Sequence, residues 1–310
     1  MANNSGGFTE AQVISRLREI FATSDPRVEI GIGDDAAVVA GTDLRQVLTT
    51  DMAVEGVHFR TDWSTAFEIG RKVTAANAAD VLAMGATPDY LLVAVALNGS
   101  EDLEWIVELA RGIKFEADLA GFQVIGGDIS RSEKIVISMS ALGHCQKPVT
   151  RSGARIGDGV YLSSLTGWSA AGLAILESKH NCVTDAQTLA VSEYKNPTID
   201  YNFDTGGATS MCDVSDSLIE QAEQVASASG VQFTFHENLI ASSPEFADLK
   251  SVADDLNLSV WQFIFAGGED HVLLATGKNL PGTQIGEVTE GVGLVNVPAN
   301  ANKQVWKHFN

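Results

Sequence analysis

Apolar side chains recur at Val13, Ile14, Leu17, Ile20 and Phe21, the three-and-four spacing of an amphipathic helix. Thr9 and Gln12 form a capping-box pattern at its start. Short extended segments are predicted at 27–32, 36–40 and 46–50. A long helical stretch, 64–84, stops at Gly85. A strand (90–97), a helix (101–120) and two more strands (122–125 and 134–142) follow. In the last of these, Ile135, Ile137 and Met139 alternate with Val136, Ser138 and Ser140, as a sheet with two unequal faces requires.

Residues 146–158 break this pattern by mixing Pro148, Gly153 and Gly157 with basic side chains. Beyond them a second set of elements is predicted. Its strands fall at 160–163, 232–236, 271–276, 284–288 and 293–297, and its helices at 169–177, 216–229 and 244–257. Strands and helices are mixed without the regular spacing of a Rossmann sheet. The reading is an α/β chain of α+β type in two domains, 1–148 and 149–310.

Composition narrows the function classes. The 310 residues are 45% hydrophobic, with 29 glycines against 7 prolines, enough apolar surface for a sizeable core and many tight turns. The formal charge of −20 repels nucleic-acid phosphates and anionic membranes, so neither is expected as a partner. Cys145, Cys182 and Cys212 are scattered and form no CxxC pair, which points to reduced thiols in a cytoplasm. The opening MANNSGGF lacks the basic and apolar regions of a signal peptide. The longest apolar run, Leu91 to Leu97, is far short of a membrane span.

Five acidic segments carry the chemistry: GIGDDAAVV (31–39), TTDMAVEGVHF (49–59), NAADVLAMGA (77–86), GGDIS (126–130) and DVSDS (213–217). The third lies on a predicted helix, and the other four are read as strand ends or turns. Carboxylates crowded together repel one another unless hard cations neutralise them, and Mg²⁺ takes carboxylates, hydroxyls, waters and phosphates as ligands. GIGDDA is a poor dinucleotide fingerprint, because Asp34 and Asp35 fill the turn where a pyrophosphate needs bare amides. No GxxxxGK[ST] loop, HRD or DFG set, or GxSxG is present, which sets aside Walker-type ATPases, protein kinases and serine hydrolases. Arg151, in the basic turn TRSGARIGD (150–158), offers a phosphate-gripping fork. GGED (267–270) sets two acids at the mouth of a predicted strand, suited to a cationic or hydrogen-bonding ligand.

Taken in order, GIGDDAA, TTD…GVHF, AAD…AMGA, GGD, TRSGARIGD, SAAGLAIL (169–176), DVSD and GGEDH (267–271) resemble the motif set of the thiamine-monophosphate kinase family, across about residues 8–309. The resemblance implies a two-domain PurM-like fold in a homodimer, with N-terminal sheets closing a shared β-barrel and the C-terminal domain completing the nucleotide and substrate sites. It implies transfer of the γ-phosphoryl of ATP to thiamine monophosphate, giving thiamine diphosphate and ADP. By position, Asp35, Thr49, Thr50, Asp51, Asp80, Asp128, Asp213 and Asp216 would hold several Mg²⁺ ions. Gly127, Asp128, Arg151 and Ser215 would contact ATP. His58, Glu269 and Trp306 would form the thiamine monophosphate pocket, where Trp306 offers a stacking surface. No general base is expected, because the attacking oxygen belongs to the substrate's own ionised phosphate.

The chain departs from the family pattern at named places. DLSDG reads DVSDS, with Ser217 for glycine, a change expected to restrict the turn. Ala110 stands before Arg111 and Gly112 where an aromatic often covers the adenine, and KNPTIDY (195–201) replaces a basic stretch. The rivals are another synthetase of the superfamily and a catalytically silent nucleotide- and metal-binding regulator. A selenophosphate synthetase would need an early reactive cysteine, and none precedes Cys145.

Overall fold

The computed structural model describes residues 10–30, 32 and 38–301. Asp34, Asp35, Thr9 and Trp306 lie outside them. The chain divides into two compact units, one of residues 1–81 and 86–146, the other of 82–85 and 147–310.

The first unit contains α1 (Glu10–Ile20), β1 (Val28–Ile30), β2 (Val38–Val39), β3 (Arg45–Val54), α2 (Ala66–Ala83), β4 (Thr87–Leu97), α3 (Leu103–Ala120), β5 (Gln123–Arg131) and β6 (Val136–Cys145). Its main sheet has the order β3-β6-β4-β5, antiparallel except for the β4–β5 pair. Ile137, Met139 and Ala141 of β6 are wholly buried, as are Ile69, Ala78, Ala79 and Val81 of α2. One sheet face is thus covered by helix, while Leu48, Met52 and Leu92 remain exposed. Helices α2 and α3 meet at glycines. A β-carbon on Gly70 would stand 2.3 Å from the Leu109 carbonyl oxygen, and one on Gly112 would stand 2.0 Å from that of Phe67. The glycine after Ala110 therefore serves a close helix crossing.

Two strand expectations need correction here. The segment expected at 46–50 pairs with β6 without a break from Arg45 to Val54, so Asp51 sits within a strand and not at its end. The segment expected at 122–125 runs on to Arg131, carrying Asp128 into the sheet opposite Ala94. Glycines 126 and 127 disfavour a strand by propensity alone. Here the neighbouring strand requires them, since a β-carbon on Gly127 would lie 1.9 Å from the Val93 carbonyl oxygen.

The second unit contains β7 (Gly159–Leu162), α4 (Trp168–Ser178), α5 (Asp185–Lys195), β8 (Ala208–Val214), α6 (Leu218–Ser229), β9 (Gln232–Phe235), α7 (Glu237–Ile240), α8 (Phe246–Asp255), α9 (Val260–Ala266), β10 (Val272–Gly277), β11 (Thr283–Thr289) and β12 (Gly293–Val295). Its sheet order is β12-β9-β11-β7-β10-β8. Val160, Leu162, Val272 and Leu274 join the large cluster with α4, α6 and α9, while Tyr161, Leu273 and Ala275 join a smaller one on the other face. Both faces of β7 and β10 are buried, which explains their unbroken apolar runs. No helix among the described residues is long and apolar enough to cross a membrane.

Candidate functional site

In the first unit, strand alternation turns Thr49 and Asp51 toward α2 and Thr50 toward the exposed face with Leu48 and Met52. The Thr49 hydroxyl donates to the Asp80 carboxylate at 2.6 Å. Asp80 lies on α2, whose Thr74 hydroxyl faces the Met139 sulfur at 3.8 Å, and Met139 is the cross-strand partner of Asp51. The fold therefore brings Thr49 and Asp80 together, with Asp51 on the same sheet face. Asn77, one turn before Asp80, is wholly buried and donates to the Val73 carbonyl at 2.9 Å. Its Oδ1 has no hydrogen-bond partner among the described residues.

Thr50 donates to the Met139 carbonyl at 2.8 Å. Asp128 is on β5, separated from β3 by β6 and β4, so about 14 Å of sheet divides it from Asp51 at the usual strand spacing. Gly127 and Asp128 help to line an apolar cavity of about 180 Å³, with residues including Phe21, Val93, Ile106, Ala110 and Ile113. His58 accepts the Val54 N–H on Nδ1 at 3.0 Å, holding the turn that leaves β3.

In the second unit, β8 delivers Asp213 just before its end, and Ser217 starts α6. Ser217 is extended, with φ −166°, and accepts the Glu220 N–H at 3.2 Å. The serine that replaces the family glycine is thus a helix cap, and its backbone carries no strain. Gln221 lies on the buried face of α6. Its Nε2 points to Ser215 Oγ at 3.5 Å and Asp216 Oδ2 at 3.4 Å, while its Oε1 has no partner among the described residues.

The GGED segment lies along this turn. Glu269 N–H donates to the Ser215 carbonyl at 2.6 Å, and His271 N–H donates to that of Val214 at 2.9 Å. Gly268 leaves no room for a β-carbon, which would meet the Asp216 carbonyl oxygen at 2.2 Å. Asp270 is buried and accepts from the Gly167 and Ser169 N–H groups at 2.8 and 3.0 Å. It caps α4, which has no side-chain cap of its own. Burial pushes the Asp270 carboxyl up to about 7, against those two hydrogen bonds.

The basic turn runs beside β8, with Met211 N–H donating to the Thr150 carbonyl at 3.1 Å. Arg151 reaches the buried Cys212 thiol, which burial raises to about 12 despite the nearby guanidinium. Arg151 therefore stands beside the residue that precedes Asp213.

Among the described residues no three acidic, histidine or cysteine side chains already form a metal cage. The donors still suit a hard cation. They are carboxylates and hydroxyls, accompanied in each unit by a buried amide oxygen, Asn77 Oδ1 or Gln221 Oε1, that lacks a donor such as a metal-bound water. Asn77 opens the segment NAADVLAMGA, whereas Gln221 lies outside every motif. The available signal was periodicity, since Gln221 occupies an apolar-stripe position with Leu218, Ala222 and Val225.

Comparison with known proteins places the chain in a family. Residues 33–145 match the family model described as AIR synthase related protein, N-terminal domain. The thiamine-monophosphate kinase of Corynebacterium glutamicum is 34% identical over 301 residues, covering 89% of this chain and 88% of that protein. That of Aquifex aeolicus is 34% identical over 289 residues, covering 90% and 92%. A solved structure described as AaThiL complexed with AMPPCP and TMP superposes with a TM-score of 0.79 at 29% identity, covering 98% of this chain and all (100%) of that one. The chain belongs to the thiamine-monophosphate kinase family.

Proposed function

We propose that this chain transfers the γ-phosphoryl group of ATP to the phosphate of thiamine monophosphate, giving thiamine diphosphate and ADP, as a Mg²⁺-dependent cytoplasmic homodimer. The observation that carries the reading is the polar corner where Thr49 meets Asp80 at 2.6 Å, one helical turn along α2 from Asn77, whose buried oxygen has no partner among the described residues. A buried acceptor such as the Asn77 oxygen calls for a cationic or hydrogen-donating ligand.

In this reading Asp35, Thr49, Thr50, Asp51, Asp80 and Asp128 are the cation ligands of the first unit, and Asp213 and Asp216 are those of the second. Bound Mg²⁺ supplies the charge that offsets repulsion between two polyanions. Gly127 lets the strand backbone come close to phosphate, and the apolar cavity that Gly127 and Asp128 help to line receives the adenine against Ala110. Arg151 and Ser215 steady the nucleotide phosphates. His58, Glu269 and Trp306 select the thiamine part. The acceptor phosphate is itself ionised near neutral pH, so these side chains orient and shield the reactants and remove no proton.

The homodimer explains two features of the first unit. Leu48, Met52 and Leu92 leave an apolar sheet face uncovered, and a second copy would cover it. A second copy whose β5 lies beside β3 would also set its Asp128 next to the strand that carries Asp51, from which one sheet keeps it apart.

Incubation with ATP, Mg²⁺ and a panel of acceptors tests the substrate assignment. Thiamine diphosphate should form from thiamine monophosphate and not from unphosphorylated thiamine. Consumption of a different phosphate ester with no thiamine diphosphate would refute the substrate while leaving the fold intact.

A further inference from the structure

His271 ends the GGEDH segment and has no part in the reaction as described above. Its Nδ1 stands 3.3 Å from Asp213 Oδ2, and both side chains are buried. Asp213 occupies β8 opposite Leu273 of β10, so the ring reaches the carboxylate from the residue that leads into β10. The main chain fixes that approach in two ways. The His271 N–H is held by the Val214 carbonyl at 2.9 Å, and φ is 54°, a left-handed conformation that a β-carbon disfavours. Glu269, two residues earlier, is also left-handed at 63°. The segment is thus folded back tightly along residues 214–216.

A carboxylate that rotates freely presents its oxygens in many directions, and partners behind a metal ligand commonly fix one. With its proton on Nδ1, His271 engages Oδ2 and leaves the other oxygen of Asp213 for another ligand. We propose that His271 is a positioning residue that orients Asp213 toward a divalent cation. The inference rests on the metal-binding role given to Asp213 above.

The test compares H271F, which keeps a ring without a donor, with H271N, whose amide nitrogen occupies the place of Nδ1. Mn²⁺ binding in the presence of a non-hydrolysable ATP analogue is followed by electron paramagnetic resonance. The Mg²⁺ concentration for half-maximal rate and the KM for thiamine monophosphate are measured alongside, as are thermal melts. H271F should weaken Mn²⁺ binding and raise the Mg²⁺ requirement by about 10-fold, with the thiamine monophosphate KM unchanged. H271N should restore both to within about 3-fold of the native values, since it returns one hydrogen bond. If H271F does not fold, H271G takes its place, because glycine accepts φ 54°. D213N separates the two levels of the inference. If D213N weakens Mn²⁺ binding and H271F, or H271G in its place, does not, His271 has no positioning role. If D213N also binds Mn²⁺ normally, the metal role of Asp213 itself is wrong. Equal losses in H271F and H271N, in step with their melting temperatures, would reduce the histidine to packing.

Discussion

The Thr49 hydroxyl donates to the Asp80 carboxylate across 2.6 Å, joining an edge strand to the helix that covers its sheet. This hydrogen bond ties two of the proposed cation ligands to each other. Thr49→Ser should keep this bond and near-native turnover. Thr49→Val should raise the Mg²⁺ concentration for half-maximal rate by about 10-fold, the scale of losing an outer partner or weak ligand. Equal Mg²⁺ curves for the two variants would contradict the role.

Asp51 shares the sheet face of Thr49, and Asp128 lies on the opposite edge strand. If each helps offset transition-state charge, Asp51→Asn or Asp128→Asn should lower kcat by at least ~10²-fold, with native melting behaviour. Full activity in either variant would remove that residue from the metal shell.

Glu269 is held by its backbone on the Ser215 carbonyl at 2.6 Å, and its carboxylate is the proposed contact to the substrate. Glu269→Gly suits the φ of 63° and deletes the carboxylate without backbone strain. It should raise the KM for thiamine monophosphate by about 10-fold, the worth of one charged hydrogen bond, and leave the KM for ATP unchanged. An effect confined to ATP would overturn the assignment.

Asp270 provides a pH dependence with a defined sign. Folding raises its carboxyl from 3.8 to about 7 through burial, so the folded state holds the proton more tightly than the unfolded chain. The resulting stabilisation is complete below pH 3.8 and is lost as the pH rises through 7. Urea denaturation of wild type and Asp270→Asn should show their stability difference moving against wild type across that window. A constant difference would contradict the burial effect. Asparagine can still cap α4, so the comparison isolates titration from capping.

The exposed Leu48 and Met52 are the handles on assembly. A Leu48→Glu, Met52→Glu double variant should elute with the mass of one 32.8 kDa chain, where the native protein elutes at twice that mass by light scattering. A native monomer would contradict the proposed dimer.

Much of this was legible in the sequence because it depends on local pattern. The alternation through Ile135, Ile137 and Met139 does run along β6, and the stop at Gly85 falls two residues past the end of α2. Motif order alone led to the family. Less legible was whatever depended on residues distant in the chain. Strand β8 and helices α5 and α9 have no marked periodicity and are set by what they pack against. Asp51 and Asp128 looked like turn residues until their cross-strand partners were known. The capping of α4 by Asp270 joins residues about a hundred positions apart, and no local signal announces it.

The most direct measurement follows label from [γ-³²P]ATP in reactions containing the protein and thiamine monophosphate. Label should appear in the terminal phosphate of thiamine diphosphate, cease on chelation of divalent ions and return when Mg²⁺ is restored. Transfer that continues undiminished in chelator, or label found only in inorganic phosphate, would contradict phosphate-to-phosphate transfer across caged cations.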